Sequence, residues 1–374
     1  MAKIKDVIFE YSVRNKLDED IPVYSVTNEK GFCTDYFSKE VASKDRTTYK
    51  IVPKGYFAYN PSRINVGSID WQNCEDRVIV SPLYVVFGVS ECIDQQYLLH
   101  YLKSDMMLTL IKEYATGSVR DNLKLSTLKE FPLILYPIDE QRKIAAVLDK
   151  VINLIAKRRQ QLDKLDEMVK SRFVEMFGDP VENPMGWEKI SLGKRCDIVT
   201  GNTPSRAEPE NYGSFIEWIK SDNINTPAVL LTTAQEYLSE IGFQKCRFVE
   251  AGSLLMTCIA GSINCIGNVA VTDRRVAFNQ QINAIVPKLD DDVLYLYWLM
   301  QLSKPAIHST INMSLKGILS KGQLSEMTFP FPPIQQQNQF SAFARQTEKT
   351  KANISRSLQK LETLKKALMQ KYFG

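Results

Sequence analysis

The side chains able to make paired hydrogen bonds gather in the glycine- and proline-rich stretches of this chain. Asn60, Ser62, Arg63 and Asn65 form one group, and Asn202, Thr203, Ser205 and Arg206 a second. Lys220, Ser221 and Asn223 follow, and then Arg274, Arg275, Asn279, Gln280 and Gln281. Arginine or lysine can engage guanine, and asparagine or glutamine can make two hydrogen bonds to adenine, all on the major-groove edge of DNA. These residues are therefore candidates for reading bases, although each one alone also suits a turn or a strand cap. Ser118 with Arg120, and Ser314 with Lys316, repeat a hydroxyl and a cation at matching places in the two halves. That pairing suits phosphate contact, with local capping as the other use of the same side chains.

Other chemistries lack their residues. No GxxxxGK[ST] phosphate loop occurs: Gly186 and Gly193 are wrongly spaced, and Arg195 follows Lys194 where a hydroxyl is needed. Asn60-Pro61-Ser62-Arg63 only partly matches the Asn-Pro-Pro-aromatic pattern of amino-methyltransferases, without its second proline or its aromatic. The carboxylates of 18–20 and 290–292 read as solvated turns rather than a nuclease centre. Two histidines, His100 and His308, give almost no material for a relay or a metal centre, and each reads as a partly buried helix residue. Seven cysteines without a CxxC pair suit reduced, mostly buried thiols, so neither a disulfide framework nor a metal site is expected. No run of about 18 apolar residues and no secretion signal is present, which points to a cytoplasmic protein.

The elements that must position these side chains come from a repeat. Sliding the chain by 196 residues lays 128–178 on 324–374 without a gap, with identities that include Pro137/Pro333, Gln141/Gln337, Leu165/Leu361 and Phe177/Phe373. The same register is expected upstream through Ser118/Ser314, Tyr101/Tyr297 and Asp94/Asp290, with Gly67 meeting Gly267 and Gly55 meeting Gly252 after small insertions. Each copy reads as a globular segment, a proline-containing connector and a long helix. Apolar residues at alternating three and four spacing mark a coiled-coil seam. On the first helix it runs through Ile144, Leu148, Val151, Ile155, Leu162, Leu165 and Val169, continues towards Met176, and is interrupted by Arg158 and Arg172. The second helix carries a weaker stripe through Ile354, Leu358, Leu361 and Leu368. The simplest packing sets the two seams against each other as an antiparallel pair; the other open packing lays each helix separately on its own lobe.

The fold expected is α+β: two globular α/β-mixed lobes, 1–135 and 179–331, separated by an antiparallel coiled coil of the helical regions 136–178 and 332–374, with an internal pseudo-two-fold repeat. Within the lobes, 94–115 reads as one helix and 291–309 as its counterpart. Net charge is −1 over 1–127 and −2 over 179–323, against +2 over 128–178 and +5 over 324–374. The lobes are thus not basic overall, and any nucleic-acid contact must depend on local arginines and uncharged donors.

Taken together, GSVRDNL, LYPIDEQRKIAAVLDKVINLI, MFGDPVENPMGWEKISLGKRCDIVTGNTPS, FNQQINAI and FPPIQQQNQF make this chain resemble the specificity subunit of a type I restriction-modification system, over essentially its whole length. The resemblance implies two target recognition domains that each read half of a bipartite double-stranded DNA site. It also implies helical regions that dock two modification (methyltransferase) subunits, with restriction (nuclease-translocase) subunits able to join. No catalytic residue and no cofactor is implied for this chain; S-adenosylmethionine, ATP and Mg belong to the partners. One departure is that Gln335 and Gln336 stand where the first copy has Asp139 and Glu140. The alternative left open by the residues is a coiled-coil scaffold that binds only proteins.

Overall fold

The computed structural model describes residues 2–34, 46–115, 122–311 and 317–374. By contacts the chain divides into two compact units: Met1–Arg159 with Arg356–Gly374, and Gln160–Ser355. Each long helix contributes about one half to each unit.

In the first unit, β1 (Ala2–Lys3), β2 (Ile8–Glu10), β3 (Ser25–Thr27), β4 (Gly31–Cys33), β5 (Lys50–Pro53), β6 (Phe57–Tyr59), β7 (Ile69–Trp71), β8 (Arg77–Val80) and β9 (Val85–Val89) precede α1 (Gln95–Leu102), α2 (Asp105–Tyr114), α3 (Leu125–Lys129) and β10 (Pro132–Leu133). Its central sheet is antiparallel, in the order β2-β9-β6-β7, while β1 pairs with β10. Helix α4 (Ile138–Phe177) follows, 40 residues long.

The second unit repeats this order. β11 (Lys189–Ser191), α5 (Leu192–Arg195), β12 (Cys196–Thr200), β13 (Tyr212–Ile219), β14 (Tyr237–Leu238), α6 (Glu240–Gln244), β15 (Phe248–Val249), β16 (Leu254–Thr257), β17 (Ile259–Ala260), β18 (Val269–Val271), β19 (Val276–Phe278) and β20 (Ile282–Pro287) lead to α7 (Val293–Leu302) and α8 (Lys304–Ser309). Then come β21 (Gly317–Ile318), α9 (Lys321–Glu326), β22 (Thr328–Pro330) and the 40-residue α10 (Ile334–Phe373). The sheet β12-β20-β16-β18 has the same order and sense as β2-β9-β6-β7, and β11-β22 matches β1-β10. The proline-containing connectors are thus strands that close each lobe against its own first strand.

Matching hydrogen bonds show how deep the repeat runs. Gly55 N donates to Gln72 O at 2.7 Å and Gly252 N to Thr272 O at 2.8 Å, and both glycines sit at positive φ, 85° and 86°. A side chain is strained at that backbone angle, which accounts for glycine in both copies. Gln141, fully buried, donates to Cys92 O and Tyr136 O and accepts from Asp94 N, whose side chain caps α1. Gln337, also fully buried, donates to Pro332 O and Asp291 Oδ1 and accepts from Asp292 N, whose side chain caps α7. The counterpart of Asp94 is therefore Asp292 and not Asp290. By the same shift Tyr97, bonded to Ile134 O, matches Tyr295, bonded to Pro330 O, which corrects the Tyr101/Tyr297 pairing. Cap and tyrosine positions move by 198 rather than 196, so a two-residue difference lies between α1 and 128.

The single helices expected over 94–115 and 291–309 are each two. Ser104 ends the first and caps α2 by accepting from Met107 N at 3.3 Å. Ser303 with Pro305 breaks the second, because a proline ring clashes with the preceding helical turn. His100 on α1 is buried and bonded to Asp149 at 2.8 Å, and His308 on α8 bonds Ile266 O at 2.9 Å.

The long helices run antiparallel within each unit. In the first, Arg159 pairs with Glu362 at 2.8 Å, and Phe373 sits edge-on to Tyr97 and Tyr101 beside Ile144, Ala145 and Leu148. In the second, Lys351 pairs with Asp166 at 2.6 Å, and Phe173 and Phe177 lie edge-on to Phe340. Each helix starts on its own lobe and ends, at Phe177 or Phe373, against the matching tyrosine of the other copy, Tyr295 or Tyr97. Seam residues Ile144, Leu148, Val151, Ile155 and Val169 are buried; Leu162, Leu165, Ile354, Leu358, Leu361 and Leu368 are half-buried. Past Val169 the seam departs from expectation: Phe173 and Phe177 are buried, while Arg172 and Met176 are only partly so. A straight helix has 3.6 residues per turn against the 3.5 of a strict heptad, so a buried stripe that follows the helix itself drifts forward from the heptad positions.

Candidate nucleic-acid interface

In the second lobe, strand pairing gathers the polar residues. β13 and β19 pair in parallel, Trp218 opposite Ala277 and Ile219 opposite Phe278, so Lys220 and Asn279 emerge side by side. β12 delivers its own exit to the same edge, where Asn202 N donates to Phe278 O at 3.1 Å. Asn202, Thr203, Ser205, Arg206, Lys220, Asn223, Asn279, Gln280 and Gln281 are thereby brought into one neighbourhood.

The loop 201–211 is bolted in place by side chain to backbone bonds. Tyr212 Oη donates to Pro204 O at 3.0 Å, Trp218 Nε1 to Asn202 O at 3.3 Å, and Asn211 Nδ2 to Ser205 O at 3.0 Å. Asn202 donates to Lys245 O and accepts from Arg247 N, each at 2.8 Å. Gly201 allows the close passage, since a Cβ there would lie 2.2 Å from Asn279 O. This leaves Thr203, Ser205 and Arg206 exposed on a well-braced support, with the Thr203 hydroxyl donating to Gln280.

At the rim, Arg206 and Lys220 share one carboxylate. Arg206 Nη2 donates to Glu236 at 2.8 Å, and Lys220 Nζ bonds its other oxygen. The Arg206 guanidinium lies 5.0 Å from the Tyr212 ring centroid and 5.6 Å from that of Trp218. The Lys220 hydrogen bond, aided by that of Arg206, outweighs partial burial and holds the Glu236 carboxyl below the usual carboxylate range.

Several residues read as contacts have work inside the fold. Asn223 is buried, accepting from Lys220 N and donating to Thr233 O. Asn279 is buried, clasping Gln281 through both side-chain atoms. Arg274 precedes β19, at the end of that strand away from Asn279, and is not gathered with the rest. Its guanidinium bonds both oxygens of Glu217 and the carbonyls of Leu231 and Thr232. Burial raises the Glu217 carboxyl, but the Arg274 and Ala234 bonds override it and hold it low. Arg275 pairs with Glu250 across Phe248.

In the first lobe, Asn60, Ser62, Arg63 and Asn65 form the turn between β6 and β7. Asn60 Oδ1 accepts from Ser62 N and Oγ, both at 3.1 Å, while Arg63 is exposed. Leu123 N donates to Pro61 O, tying the approach to α3 onto this turn. Ser118, Arg120, Ser314 and Lys316 lie outside the described residues.

The two groups are not repeat equivalents. The counterpart of β6 is β16, so the counterpart of 60–67 is 258–267, and the exposed Ser262 and Asn264 there escaped the sequence reading. Leu319 N donates to Cys258 O, as Leu123 does to Pro61 O. The Gly67/Gly267 pairing was the signal that could have found them.

Among the described residues, no group of three His, Cys, Asp or Glu could hold a metal ion. An open cavity of about 680 Å3 in the second unit is lined by Asp197, Glu250, Asp290, Asp291 and Arg345. Its most buried carboxylate, Asp291, already accepts from Arg195 and Gln337. All seven cysteines are free, but only Cys33, Cys196 and Cys258 are buried, fewer than expected; Cys74 and Cys92 are exposed. Burial pushes the Cys196 and Cys258 thiols up to about 12, so neither is a nucleophile at neutral pH. No helix among the described residues is long and apolar enough to cross a membrane.

A doubled lobe with an exposed polar rim matches a known family. The model of the type I restriction modification DNA specificity domain fits residues 3–167 and again 184–363, once per copy. This chain belongs to that family. Among specificity subunits, the HindI subunit of Haemophilus influenzae is 32% identical over 148 residues, 39% of this chain and 31% of that protein. The EcoBI subunit of Escherichia coli is 21% identical over 98% of this chain and 82% of its own length. The chain thus spans about a third of the first curated relative it matches. The specificity-subunit fold is also that of the S subunit from M. genitalium, with a TM-score of 0.60 at 16% identity, covering 100% of this chain and 95% of that one.

Proposed function

We propose that this chain is the non-catalytic DNA-recognition subunit of a type I restriction-modification complex. Segments 1–135 and 179–331 each read one half of a bipartite duplex site, and the helical segments 136–178 and 332–374 set the unread spacer and dock two methyltransferase subunits. Restriction subunits join the same assembly, which works in the cytoplasm. S-adenosylmethionine, ATP and Mg serve the partners, and this chain binds none of them. The observation that carries the reading is a conserved frame around unlike rims. β2-β9-β6-β7 and β12-β20-β16-β18 share one topology, while the described residues 11–34 and 46–55 fold differently from 201–252. Shared machinery with divergent loops is what two readers of different sequences on one scaffold require.

The contact set proposed is Asn60, Ser62, Arg63 and Asn65 with Ser118 and Arg120 in the first lobe, and Thr203, Ser205, Arg206, Lys220 and Gln280 with Ser314 and Lys316 in the second. Asn202, Asn223, Asn279 and Gln281 shape that surface from behind. Selection of bound duplexes from a random pool, with and without the methyltransferase partner, tests the reading. A motif of two fixed blocks around a constant gap is expected; a chain that enriches no motif in either condition is a protein-only scaffold.

A further inference from the structure

We propose that Arg206 is the guanine-reading side chain of the second lobe and that Glu236 is its positioning residue. The inference rests on the DNA-recognition reading and goes further by naming the base, the atoms and the residue that aims them. A free arginine on a surface loop loses much rotamer freedom when it makes a specific contact, so an arginine that must discriminate gains from being held beforehand.

Arg206 is held on two sides. Tyr212 and Trp218 stand beside the guanidinium at 5.0 and 5.6 Å, and Glu236 takes one Nη2 hydrogen at 2.8 Å. Its backbone is held too, because Asn211, itself buried, bonds Ser205 O and the Tyr212 hydroxyl bonds Pro204 O. Nevertheless its side chain is 59% exposed, and among the described residues its Nη1 and Nε hydrogens take no partner. Because Nη2 gives only one of its two hydrogens to Glu236, its other hydrogen and the neighbouring Nη1 or Nε hydrogen still form one open edge, which suits the two acceptors O6 and N7 of guanine.

A phosphate contact would make poor use of this arrangement, since a backbone oxygen needs neither a fixed plane nor a shared carboxylate that lowers the local positive charge. Lys220 completes the device. By bonding the second oxygen of Glu236 it fixes the rotation of that carboxylate, and with it the oxygen that anchors Arg206.

The experiment is duplex selection with the full chain and its methyltransferase partner, comparing wild type with Arg206→Ala, Arg206→Lys and Glu236→Ala. Arg206→Ala is expected to erase a guanine preference of roughly 5- to 100-fold at one position of one half-site, leaving the other half-site as an internal control for folding. Arg206→Lys should retain only part of that preference. Glu236→Ala should weaken the guanine preference without lowering affinity for unrelated duplexes, because it removes a negative charge near the backbone. A uniform loss across all sequences in Arg206→Ala, with the salt dependence reduced by about one phosphate, would make Arg206 a backbone contact and overturn the assignment. An unchanged motif would overturn it as well. Both outcomes leave the wild-type bipartite motif standing; a wild-type chain that selects no motif removes the recognition reading itself.

Discussion

Single side chains decide how each lobe is tied to its helix. Gln141 and Gln337 were visible as a repeated pair, but their role as three-way buried clasps was not, because their partners at 92–94 and 291–292 lie more than 40 residues away. Replacing Gln141 by Leu strands the Asp94 N–H and two carbonyls, each worth roughly 1–3 kcal/mol when buried and unpaired. A loss of at least about 2 kcal/mol is expected, with faster amide exchange in 92–97 and none in the second lobe; a change under about 0.5 kcal/mol would remove the clasp from the account. Asp149 gives a pH signature. Burial raises its carboxyl, yet the bonds from His100 and Gln96 prevail and hold it low. A carboxyl depressed in the folded state contributes stability that is complete above its unfolded value, about 3.9, and is lost as pH falls through the lower folded value. Asp149→Asn should flatten the stability curve of the first unit below about pH 4, as read from denaturant midpoints across pH.

Among the elements, α4 and α10 were the most legible. Pro137 and Pro333 precede them, Gly178 at φ 77° stops the first, and the apolar stripe runs between. The terminal turn was misread, since heptad spacing points to Arg172 and Met176 whereas the fold buries Phe173 and Phe177. Phe173→Ala should therefore cost about 3–5 kcal/mol and Met176→Ala distinctly less, measured by chemical unfolding; equal costs would restore the heptad phase. The lobe helices read as single from sequence, and only the serine cap at Ser104 and the break at Ser303 divide them. The candidate site was half legible. Residue type pointed to the correct loops, but Asn223, Asn279 and Arg274 could not be told apart from Arg206, since all four are polar side chains in turns. Burial, Glu217 and Glu236 separate them.

For the whole molecule, the duplicated frame predicts modular recognition. Replacing 179–331 with the matching segment of another family member should change one half-site and leave the other as it was, read by duplex selection; a change in both would end the idea of independent readers. Lengthening α4 and α10 together by one heptad, about 10 Å of rise, should widen the preferred gap by roughly three base pairs at ~3.4 Å each while both half-sites stay fixed. An unaltered gap would separate the helices from spacer choice. The sequence by itself determined the repeat, the two long helices and the absence of nucleotide-hydrolysis motifs, because periodicity, proline and glycine placement and motif spacing are local properties of a chain. Only the tertiary structure decided the two-residue shift that pairs Asp94 with Asp292, the phase of the helix ends and the division of polar residues into internal clasps and exposed rim. Those outcomes depend on which distant groups satisfy one another's hydrogen bonds, and that is settled when the chain packs.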